Sequence, residues 1–239
     1  MMRMRIRFTK LGKVRFTSHR DLARVFERSM RKAQIAIAVS DGFTPRPKIA
    51  FGLALPVGAE SLGEYLDVEL VDRHEPAEFS ALVNRGLPPG FDVVAAEEVT
   101  KADMSLQEDV VACSWSIELA GVSVDTARAE IERVLATATL PMKRSRKGES
   151  RMDDVRPAIE MLKVTDEHPV TLMATLLTRT RGLRLNELLM VCFPDLDPID
   201  VAGRILRTNQ WIERDGARRD IIPLPDAVVP TSTPQVVGV

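Results

Sequence analysis

Apolar and polar residues alternate in short segments along the first hundred residues, and recur at helical spacing between them. Alternation predicts strands, and spacing of three to four residues predicts helices with one buried face. The predicted elements are a strand at 3–8, a helix from Ser18 to about Ala33, strands at 48–53 and 64–71, a helix opening at Glu75-Pro76, and a strand at 91–99. This β-α-β-β-α-β order is typical of a ferredoxin-like fold.

The same order is predicted for the second half of the chain. Its predicted elements are strands at 112–119, 156–164, 170–178 and 205–213, a helix at about 125–138 and a short helix around Leu185–Cys192. We therefore expect an α+β protein with two ferredoxin-like halves, residues 1–105 and 106–214, in a duplicated antiparallel-sheet architecture. From residue 215 the chain is rich in Pro, Thr and Val without periodicity, which predicts a disordered tail over 215–239.

Composition is that of a folded protein, since 45% of the 239 residues are hydrophobic. No segment approaches the roughly 18 apolar residues of a membrane span, and the N-terminus lacks the apolar core of a signal peptide. We therefore expect a cytoplasmic protein without membrane contact. Cys113 and Cys192 lie far apart without a CxxC motif, which predicts buried free thiols and argues against a zinc or iron–sulfur site. No metal or other cofactor is expected.

Charge is distributed unevenly, although the whole chain carries a formal net charge of only −1. Residues 1–50 hold 13 Lys/Arg and 3 Asp/Glu, whereas residues 51–110 hold 3 Lys/Arg and 13 Asp/Glu. A local excess of cations predicts a directed surface for a polyanion such as RNA. The acidic block is either a solvated face or a surface that docks a partner.

An arginine stripe runs along the outer face of the first predicted helix. It consists of Arg20, Arg24, Arg28 and Arg31, which would follow about 17 Å of a nucleic-acid backbone at 1.5 Å per residue. Arginine suits phosphate because its planar fork donates paired hydrogen bonds to oxyanions. The alternative is an ordinary solvated helix face.

A Pro-rich loop follows over residues 40–48. Gly42 permits a positive φ, and Pro45 and Pro47 stiffen the backbone. The loop would present Phe43 for base stacking beside Arg46 and Lys48 for phosphate contact. Alternatively, Phe43 fills the core and the prolines only end a turn. A second basic loop, with Lys143, Arg144, Arg146 and Lys147, is predicted to lead into a strand and to contact nucleic acid.

His19 and Asp41 are the candidates for acid–base catalysis. His19 lies beside Ser18 and Asp21, a hydroxyl and a carboxylate that invite proton transfer. Helix capping explains Ser18 and Asp21 equally well, because serine caps a helix and an aspartate complements its dipole. Asp153-Asp154 and the acidic turns at 195–200 could hold Mg²⁺ in principle, but acidic turns are common.

The combined motifs resemble a bacterial family of unknown function, the radical-SAM-linked domain, over roughly residues 3–213. The residues that carry the resemblance are Arg5–Lys10, Phe16–Leu22, Arg24, Arg28, Arg31–Ala33, Ser40–Pro47, Leu55–Gly58, Ser61, Lys147-Gly148 and Asp154–Pro157. The resemblance implies a neighbouring or fused B12-binding radical-SAM enzyme, and in actinobacteria a ribonuclease of the E/G type. This chain lacks the CxxxCxxC cluster ligands, so the resemblance implies that it acts in trans.

We therefore expect an RNA-binding accessory protein that works with a separate B12-binding radical-SAM enzyme in the modification or processing of tRNA or rRNA. Two alternatives remain open from the sequence. One is an RNA-modifying or RNA-processing enzyme that uses His19 and Asp41. The other is a protein-binding adaptor without RNA contact, in which the acidic block docks a basic partner.

Overall fold

The computed structural model describes residues 1–100, 103–146, 149–165, 168–179 and 182–224. Six helices and eleven strands lie in these ranges. In chain order they are β1 (Met2–Lys10), α1 (His19–Lys32), β2 (Ile49–Phe51), β3 (Glu60–Leu70), α2 (Pro76–Asn84), β4 (Phe91–Val99), α3 (Leu106–Asp109), β5 (Val110–Leu119), α4 (Val124–Ala136), β6 (Pro141–Arg146), β7 (Glu149–Asp154), β8 (Ile159–Thr165), β9 (Thr171–Leu177), α5 (Leu185–Cys192), α6 (Pro198–Val201), β10 (Ala202–Arg214) and β11 (Ala217–Asp220).

Nine of the described strands form one mixed sheet in the order β4-β1-β3-β10-β5-β9-β8, with β2 paired to β3 and β11 to β10. Its neighbours are antiparallel except β3 and β10, which run parallel where Leu206 and Arg207 face Glu60 and Ser61. The α+β prediction is confirmed, but the sheet is mixed rather than antiparallel throughout. The two ferredoxin-like halves stay a prediction.

Each half of the chain has its own apolar core. In the first half, α1 and α2 cover β1 and β3, and the rings of Phe8 and Phe26 meet edge to face with centroids 4.6 Å apart. In the second half, α4 and α5 cover a core around Ile117 and Leu172. Cys113 and Cys192 are free and buried, as predicted, and burial raises the pKa of Cys192 to about 12.

Strand β1 is buried on both faces over most of its length, so Arg5 and Arg7 do not face solvent. Arg5 donates two hydrogen bonds to Asp67, at 2.8 and 2.9 Å, and a third to the Met104 carbonyl. Arg7 donates to the carbonyl of Ile222 at 2.9 Å. These cations contribute to the positive charge of residues 1–50, but not to the exposed basic surface.

In the part of the chain that the structure describes, six of the thirteen carboxylates in the acidic block pair with arginines or lysines of the same chain. Its paired carboxylates, each followed by a partner, are Glu60 with Arg204, Glu64 with Arg207, Asp67 with Arg5, Glu69 with Lys48, Glu98 with Arg73, and Asp109 with Arg214. Part of the negative charge of the acidic block is thus neutralised within the fold, by Arg5 and Lys48 of the basic segment and by three arginines of β10.

The predicted tail begins too early in the sequence. Residues 217–220 form β11, which pairs with β10, and Ile221 and Ile222 are buried. The prediction of disorder from residue 215 is therefore wrong for this segment, while 225–239 lies outside the described residues. Among the described residues, none of the helices combines the length and the apolar composition of a membrane span.

Candidate nucleic-acid interface

Helix α1 presents the predicted arginine stripe to solvent. Ser18 caps the helix, since its Oγ accepts from the Asp21 amide at 3.2 Å, and Leu22, Phe26 and Met30 bury the opposite face. The four stripe arginines, Arg20, Arg24, Arg28 and Arg31, are all exposed. Two of them have acidic neighbours on the same helix, at 3.4 Å (Arg24–Asp21) and 3.7 Å (Arg31–Glu27). Such exposed pairs are weak, so these guanidinium groups remain accessible to a ligand.

A groove of about 480 Å³ runs beside α1. Four cations line this cationic groove, Arg24, Arg28 and Lys32 from α1 and Arg85 from the end of α2, with Leu87 and Pro88 as neighbouring wall residues. Among the described residues that line it, Asp21 is the one carboxylate, and it accepts a hydrogen bond from the Ser18 hydroxyl at 2.8 Å and lies near Arg24. The groove therefore offers a concentrated positive charge to an anion.

The cationic groove depends on a close approach between α1 and the turn after α2. Ser29, buried on α1, donates from its Oγ to the Val83 carbonyl at 2.5 Å. A Cβ on Gly86 would lie 2.6 Å from that Oγ and 3.0 Å from the Ser29 Cα, so only glycine fits this contact. Arg85 precedes this glycine and therefore lies opposite the α1 arginines. Arg85 was missed from the sequence because it belongs to the acidic block.

The loop of residues 40–48, hereafter the Phe43 loop, is closed by hydrogen bonds at its base. The Ser40 amide donates to the Arg46 carbonyl at 2.9 Å, and the Arg46 amide donates to Ser40 Oγ at 3.1 Å. Gly42 has a φ of +118°, a conformation that favours glycine. Phe43 is completely exposed, with a relative accessibility of 109%, so the alternative in which it fills the core is wrong.

The two cations of the Phe43 loop differ in their environments. Arg46 is exposed. Lys48 instead donates to Glu69 at 2.9 Å, and this hydrogen bond raises the pKa of the lysine. Lys48 is thus partly neutralised, and Arg46 is the stronger candidate for phosphate contact.

The base of the Phe43 loop lies beside the C-terminal end of α1. Pro47 and Arg31 line the same surface concavity, together with Glu27 and Gln34. Phe43 is four residues from Pro47, so its Cα lies within roughly 14 Å of Pro47 at the maximum extension of about 3.5 Å per residue. The base of the Phe43 loop is therefore adjacent to Arg31, at the C-terminal end of the arginine stripe.

The second predicted basic loop instead forms the hairpin β6–β7, and its described cations lie in different environments. Lys143 is exposed, but Arg144 is buried, with hydrogen bonds to Glu187 at 3.0 and 2.5 Å and to the Gly182 carbonyl at 2.7 Å. The prediction of Arg144 as a surface contact is therefore contradicted by its burial in an ion pair. The Arg146 side chain and Lys147 lie outside the described residues.

The two candidate catalytic residues are not joined. The His19 ring packs edge-on against Phe51, with centroids 4.9 Å apart, while Asp41 is exposed in the Phe43 loop. No hydrogen bond or ion pair links them in the part of the chain that the structure describes. The described residues also contain no group of three His, Cys, Asp or Glu side chains placed to hold a metal.

Residues 3–185 match the family described as "Uncharacterized protein conserved in bacteria (DUF2344)", which is well over half of the chain. The chain belongs to this family. No functionally curated protein matches it. The DUF2344 region contains α1, the cationic groove, the Phe43 loop and the β6–β7 hairpin, whereas α6, β10 and β11 lie beyond it. All of the candidate interface residues thus belong to the part of the chain that defines the family.

Proposed function

We propose that this DUF2344 protein is an RNA-binding accessory protein that acts in trans with a B12-binding radical-SAM enzyme in RNA modification or processing. The observation that carries the RNA-binding part is the cationic groove and its continuation along α1. The groove is lined by Arg24, Arg28, Lys32 and Arg85, with Asp21 as the one carboxylate among its described lining residues.

The chemistry of this surface favours a phosphate backbone as its ligand. Guanidinium groups bind phosphate through paired, charge-assisted hydrogen bonds, which are stronger than those between neutral groups. The buried arginines, among them Arg5 and Arg207, are paired with carboxylates, so they do not compete for a polyanion. The near-neutral net charge of the chain disfavours uniform coating of nucleic acid and favours contact through this one face.

The radical-SAM part of the proposal is supported by the sequence resemblance. The chain has only two cysteines, Cys113 and Cys192, which cannot supply the three ligands of a CxxxCxxC motif. A radical reaction would therefore lie outside these 239 residues, and their role would be to bind and present the RNA. The same resemblance supports a link to a ribonuclease of the E/G type.

Charge reversal in the groove tests RNA binding. In Arg24→Glu/Arg28→Glu, we expect the affinity for bacterial tRNA or rRNA fragments to be lost while thermal stability changes little, because both side chains are exposed. The matched control is Lys163→Glu/Arg219→Glu, which makes the same charge change at exposed positions in the second half. Equal affinity of the wild type and the groove variant would disprove the proposed interface.

The salt dependence provides a second measurement on the same proteins. If Z phosphates are neutralised, the slope of log affinity against log salt should be about −0.7Z to −0.9Z. In the single variant Arg85→Gln, we expect the slope to be less negative than in the wild type. An unchanged slope would remove Arg85 from the interface.

Co-purification tests the partnership. If the proposal holds, a B12-binding radical-SAM enzyme should be recovered with this protein from cells, and nuclease treatment distinguishes direct contact from bridging by RNA. Persistence after nuclease, combined with no RNA affinity, would favour the adaptor alternative. Nucleoside changes produced by the purified chain alone would favour the enzyme alternative.

The duplicated ferredoxin-like fold belongs to the same proposal. In the first half β1 and β2 both pair with β3, and in the second half β5 and β8 both pair with β9. This split arrangement supports a relationship between the halves.

A further inference from the structure

We propose that the RNA bound by this protein has an unpaired nucleotide whose base stacks on Phe43, so that single-stranded or looped RNA binds better than a continuous duplex. This inference rests on the proposed function and adds the structural class of the RNA. The test is designed so that the stacking inference can be disproved while RNA binding is still observed.

The first observation is the complete exposure of the Phe43 ring. A phenylalanine normally buries most of its surface, because transfer of the ring out of water is favourable. Here the relative accessibility is 109%, although the same half of the chain has an apolar core in which Phe26 and Phe79 are completely buried. The backbone of the Phe43 loop therefore holds the ring away from the core, in a position where none of the described residues covers it.

The second observation is that the Phe43 loop is constrained. Val39 and Pro47 form an isolated β-bridge, and the Lys48 amide donates to the Ala38 carbonyl at 2.8 Å. With Pro45 and Pro47, these contacts limit the number of backbone conformations. A ligand that covers Phe43 consequently pays little entropy for ordering the loop, as in other preorganised sites.

The third observation is the chemistry around the ring. Arg46 is exposed three residues away, and the loop base adjoins Arg31 of the stripe. An exposed ring in the same loop as an exposed arginine matches a nucleotide, which has a flat base and an anionic phosphate. A protein partner would also cover an apolar ring, but the arginines beside it favour a polyanion over an uncharged protein surface.

Base accessibility decides between RNA classes. In a duplex, both faces of each internal base are covered by neighbouring pairs, so an aromatic side chain cannot stack on them. An unpaired base exposes its face, and stacking on an aromatic ring is sequence-tolerant because every base has a π-face. Phe43 would therefore discriminate by strandedness, whereas the cationic groove would bind phosphates of either form.

The experiment measures fluorescence anisotropy with a labelled oligouridine and with a labelled blunt RNA duplex of equal length. We expect Phe43→Ala to weaken oligouridine binding by roughly 5- to 150-fold, the range for loss of one stacked base, and to change duplex binding less than 2-fold. Phe43→Trp should retain oligouridine affinity, whereas Phe43→Leu should not. These variants should fold normally, because Phe43 has no buried surface to lose.

Each outcome has a distinct consequence. If Phe43→Ala leaves oligouridine affinity unchanged while Arg24→Glu/Arg28→Glu abolishes it, the stacking proposal is overturned and the RNA interface stands. Equal weakening of duplex and oligouridine binding also overturns it. If the wild type binds neither RNA, the proposed function and this inference fail together. If Phe43→Ala only releases a protein from the nuclease-treated complex, Phe43 is a protein contact and the inference is wrong.

Discussion

Arg207 of β10 forms a buried ion pair with Glu64 of β3 and thereby joins the two halves of the chain. Its Nε and Nη2 donate to Glu64 Oε1 at 2.9 and 2.6 Å, and Nη2 also donates to the Leu53 carbonyl at 2.9 Å. The guanidinium lies over the ring of Trp115 on β5, 5.3 Å from its centroid. One side chain therefore contacts β3, the segment after β2 and the second-half sheet, beside the parallel β3–β10 pairing.

Removal of one member of this pair should strongly destabilise the protein. Glu64→Leu leaves the Arg207 charge buried without its carboxylate, so we expect the free energy of unfolding in urea to fall by about 3–5 kcal/mol. The double variant Glu64→Leu/Arg207→Met should lose much less, because it removes both charges. Glu160→Leu, which breaks the more exposed pair with Arg218, is the control and should cost about 1 kcal/mol or less. Similar losses for Glu64→Leu and Glu160→Leu would contradict the role of the buried pair.

The elements of this fold could be predicted from the sequence wherever their signals are local. Helix α1 follows from its cap at Ser18 and its apolar stripe, and the strand predicted at 91–99 matches β4. The junction of the halves could not be predicted, because Glu64 and Arg207 are far apart in sequence and both look like solvent-facing positions. Burial of Arg5 and Arg7 escaped prediction for the same reason, since their cover comes from Met104 and Ile222.

The candidate interface likewise contains residues with a local sequence signal and residues that only long-range packing brings together. The arginine stripe is local to α1, so helical spacing was sufficient to find it. Arg85 lies near the stripe only because the end of α2 packs on Ser29. Arg144 is buried because it pairs with Glu187 of α5, which is distant in the sequence. Strand β11 did have a local signal in the sequence, the Asp215-Gly216 dipeptide typical of two-residue hairpin turns, and both residues have the positive φ that such a turn requires.

The ion pair between Arg144 and Glu187 should make stability depend on acid pH. Burial alone would raise the pKa of Glu187, but hydrogen bonds from the Arg144 side chain and the Arg184 amide outweigh it, so the pKa lies below its ordinary value. The unfolded chain then binds the proton more readily, and the stabilisation present above the unfolded pKa is lost as pH falls through the folded pKa.

Unfolding in urea at a series of pH values tests this dependence. We expect Glu187→Gln to be less stable than the wild type at neutral pH, with the difference shrinking as pH drops below about 4.3, the ordinary glutamate value. Glu132→Gln, exposed on α4, serves as the control and should follow the wild-type curve. A constant difference between Glu187→Gln and the wild type at all pH values would exclude the carboxylate charge as its cause.

The segment after β11 should contribute to stability although it lies near the C-terminus. Ile222 is buried and its carbonyl accepts from Arg7, so Ile222→Ala should lower the free energy of unfolding by about 2–5 kcal/mol. Arg219→Ala, at an exposed position of β11, should change it by no more than about 0.5 kcal/mol. If the two variants were equally stable, Ile222 would not belong to the core in solution.

Gly86→Ala should disturb both the fold and the cationic groove, because the new Cβ would lie 2.6 Å from Ser29 Oγ. We expect a loss of about 1–3 kcal/mol in the free energy of unfolding, as in other overpacked sites, and weaker RNA binding because Arg85 moves away from α1. Adding Ser29→Ala removes the closest atom and should recover part of both losses, although Ser29 Cα would remain 3.0 Å away. Ala81→Gly, at an exposed position of α2, should cost about 1 kcal/mol through helix propensity alone and leave RNA affinity unchanged. If RNA affinity fell in proportion to the loss of stability in both Gly86→Ala and Ala81→Gly, the weaker binding would reflect stability alone. The position of Arg85 would then be irrelevant to binding.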